Sequence, residues 1–289
     1  MPEVAAEELT FTTSDGYPFH VARRAAVGTP RGIVVVLHGV QSHSGWYNGL
    51  GSRIAEAGYH VSFPNRRGSG PNQRDRGHTP SGHRLVDDIA EWIQQVRKET
   101  PNLPVALAGI SWGGKIAVLT AAKRPELVDA LALICPGLEP QVGVTFGEKL
   151  RIAHAVFTNR RKTFPIPLAD PALFTDDPAG QEFIRNDPLG LRQATAGLLL
   201  ASFLIDRRIK RSPSKIRQPT LLMLGGRDRI VDNDRTRRYF DRLAATDREV
   251  IEYPDGCHTL EFDPEPGEYA RDLIAWLEPR FEAIRRRSN

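Results

Sequence analysis

Residues 105–114 (Val-Ala-Leu-Ala-Gly-Ile-Ser-Trp-Gly-Gly) constrain the fold of this chain more than any other stretch. Residues 105–108 are small or apolar without alternation, which is typical of a parallel strand buried on both faces. A Gly-x-Ser-x-Gly pattern centred on Ser111 follows, and then a helix-like run over residues 115–123 that stops before Pro125. A strand, a sharp turn and a helix form the context in which a nucleophilic serine sits at a strained backbone position. We therefore predict that Ser111 is a catalytic nucleophile.

Two other interpretations of this stretch are weaker. A glycine-rich turn between a strand and a helix can carry a serine that only faces solvent, and the five-residue pattern alone does not exclude it. A phosphate-binding P-loop is excluded, because Gly114-Lys115 lacks an earlier glycine at the required spacing and is followed by Ile116. The order of elements around Ser111 favours the catalytic interpretation.

Alternating strand-like and helix-like segments predict an α/β fold. Predicted strands cover residues 9–13, 19–24, 33–37, 60–63, 105–108, 130–135, 219–224 and 249–253. Predicted helices cover residues 47–57, 85–98, 115–123, 233–243 and 267–287. The first two strands flank an Asp-Gly turn, which indicates an antiparallel hairpin. The regular alternation that follows implies a mostly parallel eight-stranded sheet with right-handed crossovers and flanking helices.

A change in composition after the sixth strand predicts an insertion. Two helix-like stretches, residues 146–159 and 189–207, surround a proline-rich irregular segment at residues 164–178. We predict that residues 137–215 form a helical cap, and that the core consists of the two flanking segments, residues 1–136 and 216–289.

The predicted cap contains an apolar helix, residues 196–205, and several phenylalanines. These residues line an apolar cleft above the site or bury the cap against the core, and the sequence leaves both roles open. The phenylalanines are Phe146, Phe157, Phe164, Phe174 and Phe203.

An acid that could support the serine follows the seventh predicted strand. A serine hydroxyl needs an adjacent base, and the base needs a third group that orients it. In chains with this turn, the order is nucleophile, acid, histidine, with the later groups on loops after strands. Asp228 lies directly after the strand at residues 219–224, and Asp232 and Asp234 lie farther along. Asp232 also suits the N-cap of the predicted helix at residues 233–243, so we predict Asp228 as the acid.

The histidine that completes this order is His258. It follows the last predicted strand, at residues 249–253, through a short Asp-Gly-Cys turn. The other seven histidines all precede the acid in the chain. We therefore predict a triad of Ser111, Asp228 and His258.

Two backbone N–H groups are predicted to bind the oxyanion of an acyl-transfer intermediate. One belongs to Trp112, the residue after the nucleophile, and the other to the loop after the strand at residues 33–37. In that loop Val40 is the expected donor. His38, which begins the loop, is expected to be a structural hydrogen-bonding residue beneath it.

The charge balance does not favour nucleic acid as a partner. The 39 Lys and Arg residues exceed the 35 Asp and Glu residues by only four, and the chain has two basic clusters at residues 207–211 and 285–287. Such clusters suit helix C-termini, and no interleaved aromatic residues suggest base stacking. The two cysteines, Cys135 and Cys257, are too few for a disulfide framework and have no metal-ligand spacing. We predict neither a cofactor nor a metal.

The chain is predicted to be cytoplasmic. No apolar run approaches the ~18 residues that a membrane-spanning helix needs. The polar, acidic residues 1–8 do not resemble a signal peptide.

Across nearly its whole length the chain resembles the α/β-hydrolase superfamily. Within it, residues 38–47 (His-Gly-Val-Gln-Ser-His-Ser-Gly-Trp-Tyr), the Arg-Gly-Ser-Gly at residues 67–70 and the insertion resemble the monoglyceride-lipase, lysophospholipase and serine-aminopeptidase-like branch. Two features depart from that branch. Gln41 occupies a usual glycine position in the oxyanion loop, and Ile110 and Trp112 replace the more usual His and Met or Gln around the serine.

The resemblance implies an ester, thioester or amide hydrolase that works through an acyl-enzyme. Our leading hypothesis is hydrolysis of a carboxylic ester with an apolar acyl group, such as a monoacylglycerol, a lysophospholipid or a small ester. An aminopeptidase, a thioesterase or an acyltransferase would use the same triad, and a low-turnover receptor would use the same pocket. Peripheral membrane contact also stays open. An aminopeptidase would need acidic cap residues for a substrate ammonium; the candidates are Asp170, Asp176, Asp177, Glu182 and Asp187.

Overall fold

A computed structural model describes residues 4–265 and 267–288. Residues 1–3, which belong to the stretch used to judge a signal peptide, lie outside the described residues, as do Pro266 and Asn289. The side chain of Arg287, in the C-terminal basic cluster, also lies outside them.

The core is an eight-stranded sheet, as the sequence predicted. The strands of the chain are β1 (Glu7–Thr12), β2 (Pro18–Arg24), β3 (Gly32–Leu37), β4 (Tyr59–Pro64), β5 (Val105–Ile110), β6 (Ala130–Ile134), β7 (Thr163–Pro165), β8 (Gln193–Thr195), β9 (Thr220–Gly225) and β10 (Arg248–Tyr253). The order in the large sheet is β1-β2-β4-β3-β5-β6-β9-β10. The pairs β1–β2 and β2–β4 are antiparallel, and all later pairs are parallel.

The central position of four strands in the sheet accounts for their apolar sequences. Every residue of β3, β5, β6 and β9 is buried, because helices cover both faces of the sheet. The parallel register aligns Leu37 at the end of β3 with Gly109 near the end of β5. The carboxyl ends of these strands therefore lie at one edge, where loops can bring distant residues together.

Several helices begin at short polar N-cap side chains. The α-helices are α1 (Asn48–Glu56), α2 (Gly82–Glu99), α3 (Trp112–Lys123), α4 (Phe146–Thr158), α5 (Pro178–Asn186), α6 (Ala196–Ile209), α7 (Asn233–Phe240) and α8 (Gly267–Ser288). Ser81 caps α2 by accepting the Arg84 N–H at 3.1 Å, and Thr145 and Glu148 form a capping box at α4.

The segment between β6 and β9 differs from the sequence prediction in two ways. Residues 164–178 are not wholly irregular, because β7 pairs with β8 in a small antiparallel sheet. The predicted helix over residues 189–207 begins only at Ala196, since Thr195 ends β8 and accepts the Leu198 N–H as an N-cap. The unpredicted helix α5 begins at Pro178 after the N-cap Asp177, a start signal that the sequence did contain.

Two roles were open for the five phenylalanines of the insertion, and burial of the side chain against the core is excluded for three of them. Phe146, Phe157 and Phe203 are 74%, 89% and 56% exposed. For Phe146 and Phe157 the reason is the orientation of α4, which buries Ala155 against α6 and leaves its opposite stripe in solvent. Phe164 and Phe174 are buried.

Candidate active site

Ser111 occupies the sharp turn between β5 and α3. Its backbone has φ 52° and ψ −124°, a conformation that costs a non-glycine residue free energy and persists only where the surroundings enforce it. The enforcing contacts are backbone hydrogen bonds: the Ser111 N–H donates to Ile134 O at 3.0 Å, and Ser111 O accepts from the Gly137 N–H at 2.7 Å. The turn thus presents the hydroxyl at the carboxyl edge of the sheet.

The flanking glycines are required by close packing. A Cβ on Gly113 would lie 2.3 Å from Leu37 O and 2.7 Å from His38 O, and a Cβ on Gly109 would lie 2.6 Å from the Gly114 Cα. The backbone atoms near Gly113 cannot move without displacing β3, and those near Gly109 cannot move without displacing α3, so only glycine fits at either position.

Gly113→Ala is expected to lower the free energy of unfolding by about 2–3 kcal/mol, because the added methyl overlaps the backbone of β3. Equilibrium urea unfolding measures this. Gly147→Ala is the matched control: its Cβ meets nothing within 4 Å in α4, so stability should be unchanged or slightly higher. Equal stability of the Gly113 and Gly147 variants would contradict the tight turn.

The structure brings Ser111, His258 and Asp228 into one hydrogen-bonded row. His258 Nε2 lies 2.7 Å from Ser111 Oγ, and His258 Nδ1 lies 2.7 Å from Asp228 Oδ2. The other carboxylate oxygen, Oδ1, accepts the N–H groups of Ile230 and Val231 at 2.7 and 2.9 Å. With the carboxylate fixed in this way, Nδ1 carries the proton and Nε2 is free to accept the serine proton.

The alternative acids take other roles. Asp232 is the N-cap of α7 and accepts the Arg235 N–H at 2.9 Å. Asp234 lies in the first turn of the same helix. Neither forms a described hydrogen bond with His258.

The predicted oxyanion donors lie on the loop after β3 and at the first residue of α3, both beside Ser111. A Cβ on Gly39 would lie 3.3 Å from the Ser111 Cβ, so the loop after β3 passes directly against the serine. Within the described part of the chain, neither the backbone N–H of Val40 nor the backbone N–H of Trp112 donates to a protein acceptor. Both groups are therefore available to a substrate oxygen, and their role as an oxyanion hole stays a prediction.

His38 is a structural residue beneath this loop, in agreement with the sequence prediction. Its Nδ1 lies 2.8 Å from Gly39 O, and its Nε2 accepts the Arg66 N–H at 3.0 Å. Burial lowers the pKa of His38 well below its usual value, so the ring is neutral and both nitrogens are engaged.

Gln41 ties the loop after β3 to the insertion, a role that the sequence did not reveal. Its Nε2 donates to Leu168 O at 3.0 Å, its Oε1 accepts from Arg192 at 3.4 Å, and its backbone O accepts the Leu191 N–H at 2.9 Å. The side chain that replaces the usual glycine therefore bonds to the insertion.

Asp187 makes a second link between the insertion and this loop. Its carboxylate accepts Trp46 Nε1–H at 2.8 Å and lies 3.1 Å from His43 Nε2. Burial acts to raise the pKa of Asp187, but the hydrogen bonds from His43 and Trp46 outweigh it and lower the pKa to about 2. The carboxylate is thus ionised and already engaged by the protein.

The acidic residues considered for a substrate ammonium are all engaged locally. Asp176 forms ion pairs with Arg227 at 2.6 Å and Arg229 at 2.9 Å. Asp170, Asp177 and Glu182 each accept a hydrogen bond from a nearby N–H group. Asp187 accepts hydrogen bonds from Trp46 and His43. This arrangement does not favour an ammonium site.

Two aromatic side chains enclose the site. The Phe174 ring meets the His258 ring edge-on, with centroids 6.0 Å apart. Trp112 is buried, and its Nε1–H donates to Ser202 Oγ of α6 at 3.0 Å. Phe174 and α6 belong to the insertion, so the insertion contacts both His258 and Trp112.

Known proteins resemble the chain over most of its length. A family profile described as serine aminopeptidase, S33, matches residues 28–265. Monoglyceride lipase of Homo sapiens is 27% identical over 261 residues, which cover 88% of this chain and 84% of that protein. Monoacylglycerol lipase of Mycolicibacterium smegmatis is 26% identical, covering 86% and 88%. The crystal structure of Paleococcus ferrophilus monoacylglycerol lipase is 26% identical with a TM-score of 0.81, covering 91% and 99%.

Proposed function

Because the chain belongs to the serine aminopeptidase, S33, family, we propose that it is a serine hydrolase that cleaves carboxylic esters with an apolar acyl group. One observation carries the proposal: a single buried imidazole lies 2.7 Å from both the Ser111 hydroxyl and the Asp228 carboxylate. A serine with its base and an orienting acid is the arrangement that acyl transfer requires.

The proposed reaction passes through an acyl-enzyme. Ser111 Oγ attacks the ester carbonyl while His258 Nε2 takes its proton, and the carbonyl oxygen becomes an oxyanion that accepts the Val40 and Trp112 N–H groups. His258 then gives the proton to the departing alcohol. Water repeats the two steps and releases the acid. Asp228 holds the imidazole in the required tautomer throughout.

The insertion, residues 137–215, is proposed to act as a cap that shapes the acyl site. The support is its contacts: Phe174 packs against His258, and Ser202 of α6 bonds to Trp112. In this proposal the core consists of residues 1–136 and 216–289.

A monoacylglycerol is the proposed substrate class, since the similar human and mycobacterial proteins are named monoglyceride or monoacylglycerol lipases. Initial rates should be compared for p-nitrophenyl esters from acetate to palmitate, 1-monoacylglycerols, lysophosphatidylcholine and an aminoacyl p-nitroanilide. We expect a chain-length optimum, turnover of monoacylglycerol and no measurable cleavage of the anilide. Preferential anilide cleavage would instead identify an aminopeptidase.

Contact with a lipid surface is proposed to involve α4. Phe146, Leu150 and Phe157 are exposed and follow one another at helical spacing. None of the helices in the described part of the chain is long and apolar enough to cross a bilayer. We also propose a cytoplasmic location, supported by the two free thiols of Cys135 and Cys257.

A further inference from the structure

In the described part of the chain Arg66 forms no ion pair with a carboxylate, whereas the neighbouring Arg67 forms two. Arg67 forms ion pairs with Asp88 at 2.6 Å and with Asp15 at 3.1 Å. Among the described residues, no acid forms an ion pair with the Arg66 guanidinium, and its buried Nε has no hydrogen-bond partner. Burial lowers the pKa of Arg66 to about 10, so the group stays charged at neutral pH. A largely enclosed charge without a counter-ion is costly and calls for an explanation.

The guanidinium contacts the loop after β3. Nη1 donates to Gly39 O at 3.2 Å, and Nη2 donates to Val40 O at 2.9 Å. His38 Nδ1 lies 2.8 Å from the same Gly39 oxygen, and the Arg66 backbone N–H donates to the other nitrogen of that ring. Arg66 and His38 thus hold the peptides on both sides of Val40.

We propose that Arg66 is a positioning residue that orients the Val40 N–H for the oxyanion. The inference rests on the proposed hydrolase function. The Gly39–Val40 peptide is trans, so its carbonyl and its N–H point in opposite directions. Bonds from Arg66 and His38 to Gly39 O therefore keep the Val40 N–H directed away from Arg66. Gly39 has little resistance to a peptide flip, which would put a carbonyl oxygen where the donor belongs.

The same guanidinium also contacts the second predicted donor residue. Its central carbon lies 4.8 Å from the centroid of the Trp112 ring, which is within cation–π distance. One cation thus touches both segments that supply oxyanion donors. The positive charge of Arg66 stabilises the negative charge of an oxyanion held between these two segments. The attraction is strong because little water enters the enclosed site to screen it.

Arg66→Gln tests the proposal, with Arg76→Gln as the matched control. Arg76 also donates to backbone carbonyls, those of Gly70 at 2.9 Å and Leu189 at 2.7 Å, but not to the loop after β3. We expect Arg66→Gln to lower kcat on an ester about 10- to 100-fold with KM nearly unchanged, as for a weakened oxyanion donor. Arg76→Gln should keep the wild-type kcat.

Two further readouts separate positioning from a structural role. Affinity for a trifluoromethyl ketone, which forms an oxyanion with serine, should fall in Arg66→Gln by the same factor as kcat/KM. Arg66→Lys, which keeps the charge but not the planar fork, should be intermediate. An unchanged kcat in Arg66→Gln, or an unchanged ketone affinity, would overturn the proposal. If the Gln variant does not fold, the Lys variant decides by the same measurements.

Failure of the proposed function has a different signature. The second-order rate of fluorophosphonate labelling at Ser111 also depends on the oxyanion donors but needs no ester turnover. A wild-type protein that is labelled but cleaves no ester would contradict the ester hydrolase, while a slower labelling of Arg66→Gln would still support the positioning role. Equal labelling rates would reject it.

Discussion

Ser111→Ala is expected to lower kcat for ester hydrolysis by about 10⁵-fold or more while the protein stays folded. The hydroxyl is the atom that attacks the carbonyl, and the remaining groups can only bind the substrate and polarise it. Removing Oγ leaves His258 without its partner at 2.7 Å but keeps the bond to Asp228. Steady-state rates on the best ester, together with circular dichroism, measure both parts of the expectation.

The matched control for this variant is Ser52→Ala. Ser52 is a buried serine in α1 whose hydroxyl has no hydrogen-bond partner in the described part of the chain. Its replacement makes the same chemical change away from the row of Ser111 and His258, so the rate should stay at the wild-type value. If Ser111→Ala kept the wild-type rate on every ester, Ser111 would not be the nucleophile.

Asp228→Asn is expected to lower kcat by about 10⁴-fold with little change in fold. The amide is nearly the same size, and its oxygen can still accept the N–H groups of Ile230 and Val231. Its NH₂ group then faces His258 Nδ1 and favours the tautomer with the proton on Nε2. That tautomer cannot accept the serine proton, so the loss appears in kcat.

Asp232→Asn provides the control for Asp228. Asparagine is as good an N-cap as aspartate, so α7 should keep its first turn and activity should stay near the wild-type rate. A large loss of activity in Asp232→Asn together with an active Asp228→Asn would show that Asp232, and not Asp228, is the acid. Rates for both variants across pH 6 to 9 distinguish these outcomes.

The sequence was sufficient for the elements whose signals are local. The apolar run of β5, the glycines around Ser111 and the following helix form one short segment, so the turn could be recognised without tertiary information. Regular alternation predicted the parallel sheet, and the position of His258 after the last strand followed from chain order. The resemblance to the α/β-hydrolase branch is confirmed by the matching family and by the fold of the Paleococcus ferrophilus monoacylglycerol lipase.

Features that depend on tertiary contacts could not be predicted from the sequence. The β7–β8 pair joins two short segments about 30 residues apart, neither of which alternates clearly. The orientation of α4 was decided by packing against α6, which left Phe157 in solvent. The hydrogen bonds from Gln41 to Leu168 and from Arg66 to Gly39 each join residues that are far apart in the chain, so the sequence alone could not predict them.

Reaction with a fluorophosphonate followed by peptide mass mapping tests the central claim most directly. The phosphorus centre reacts with a serine only where a base and an oxyanion site are assembled around it. We predict a single adduct on the peptide that contains Ser111, and no adduct in Ser111→Ala or after unfolding. The absence of an adduct on the folded wild-type protein, or an adduct on another serine, would contradict Ser111 as the activated nucleophile.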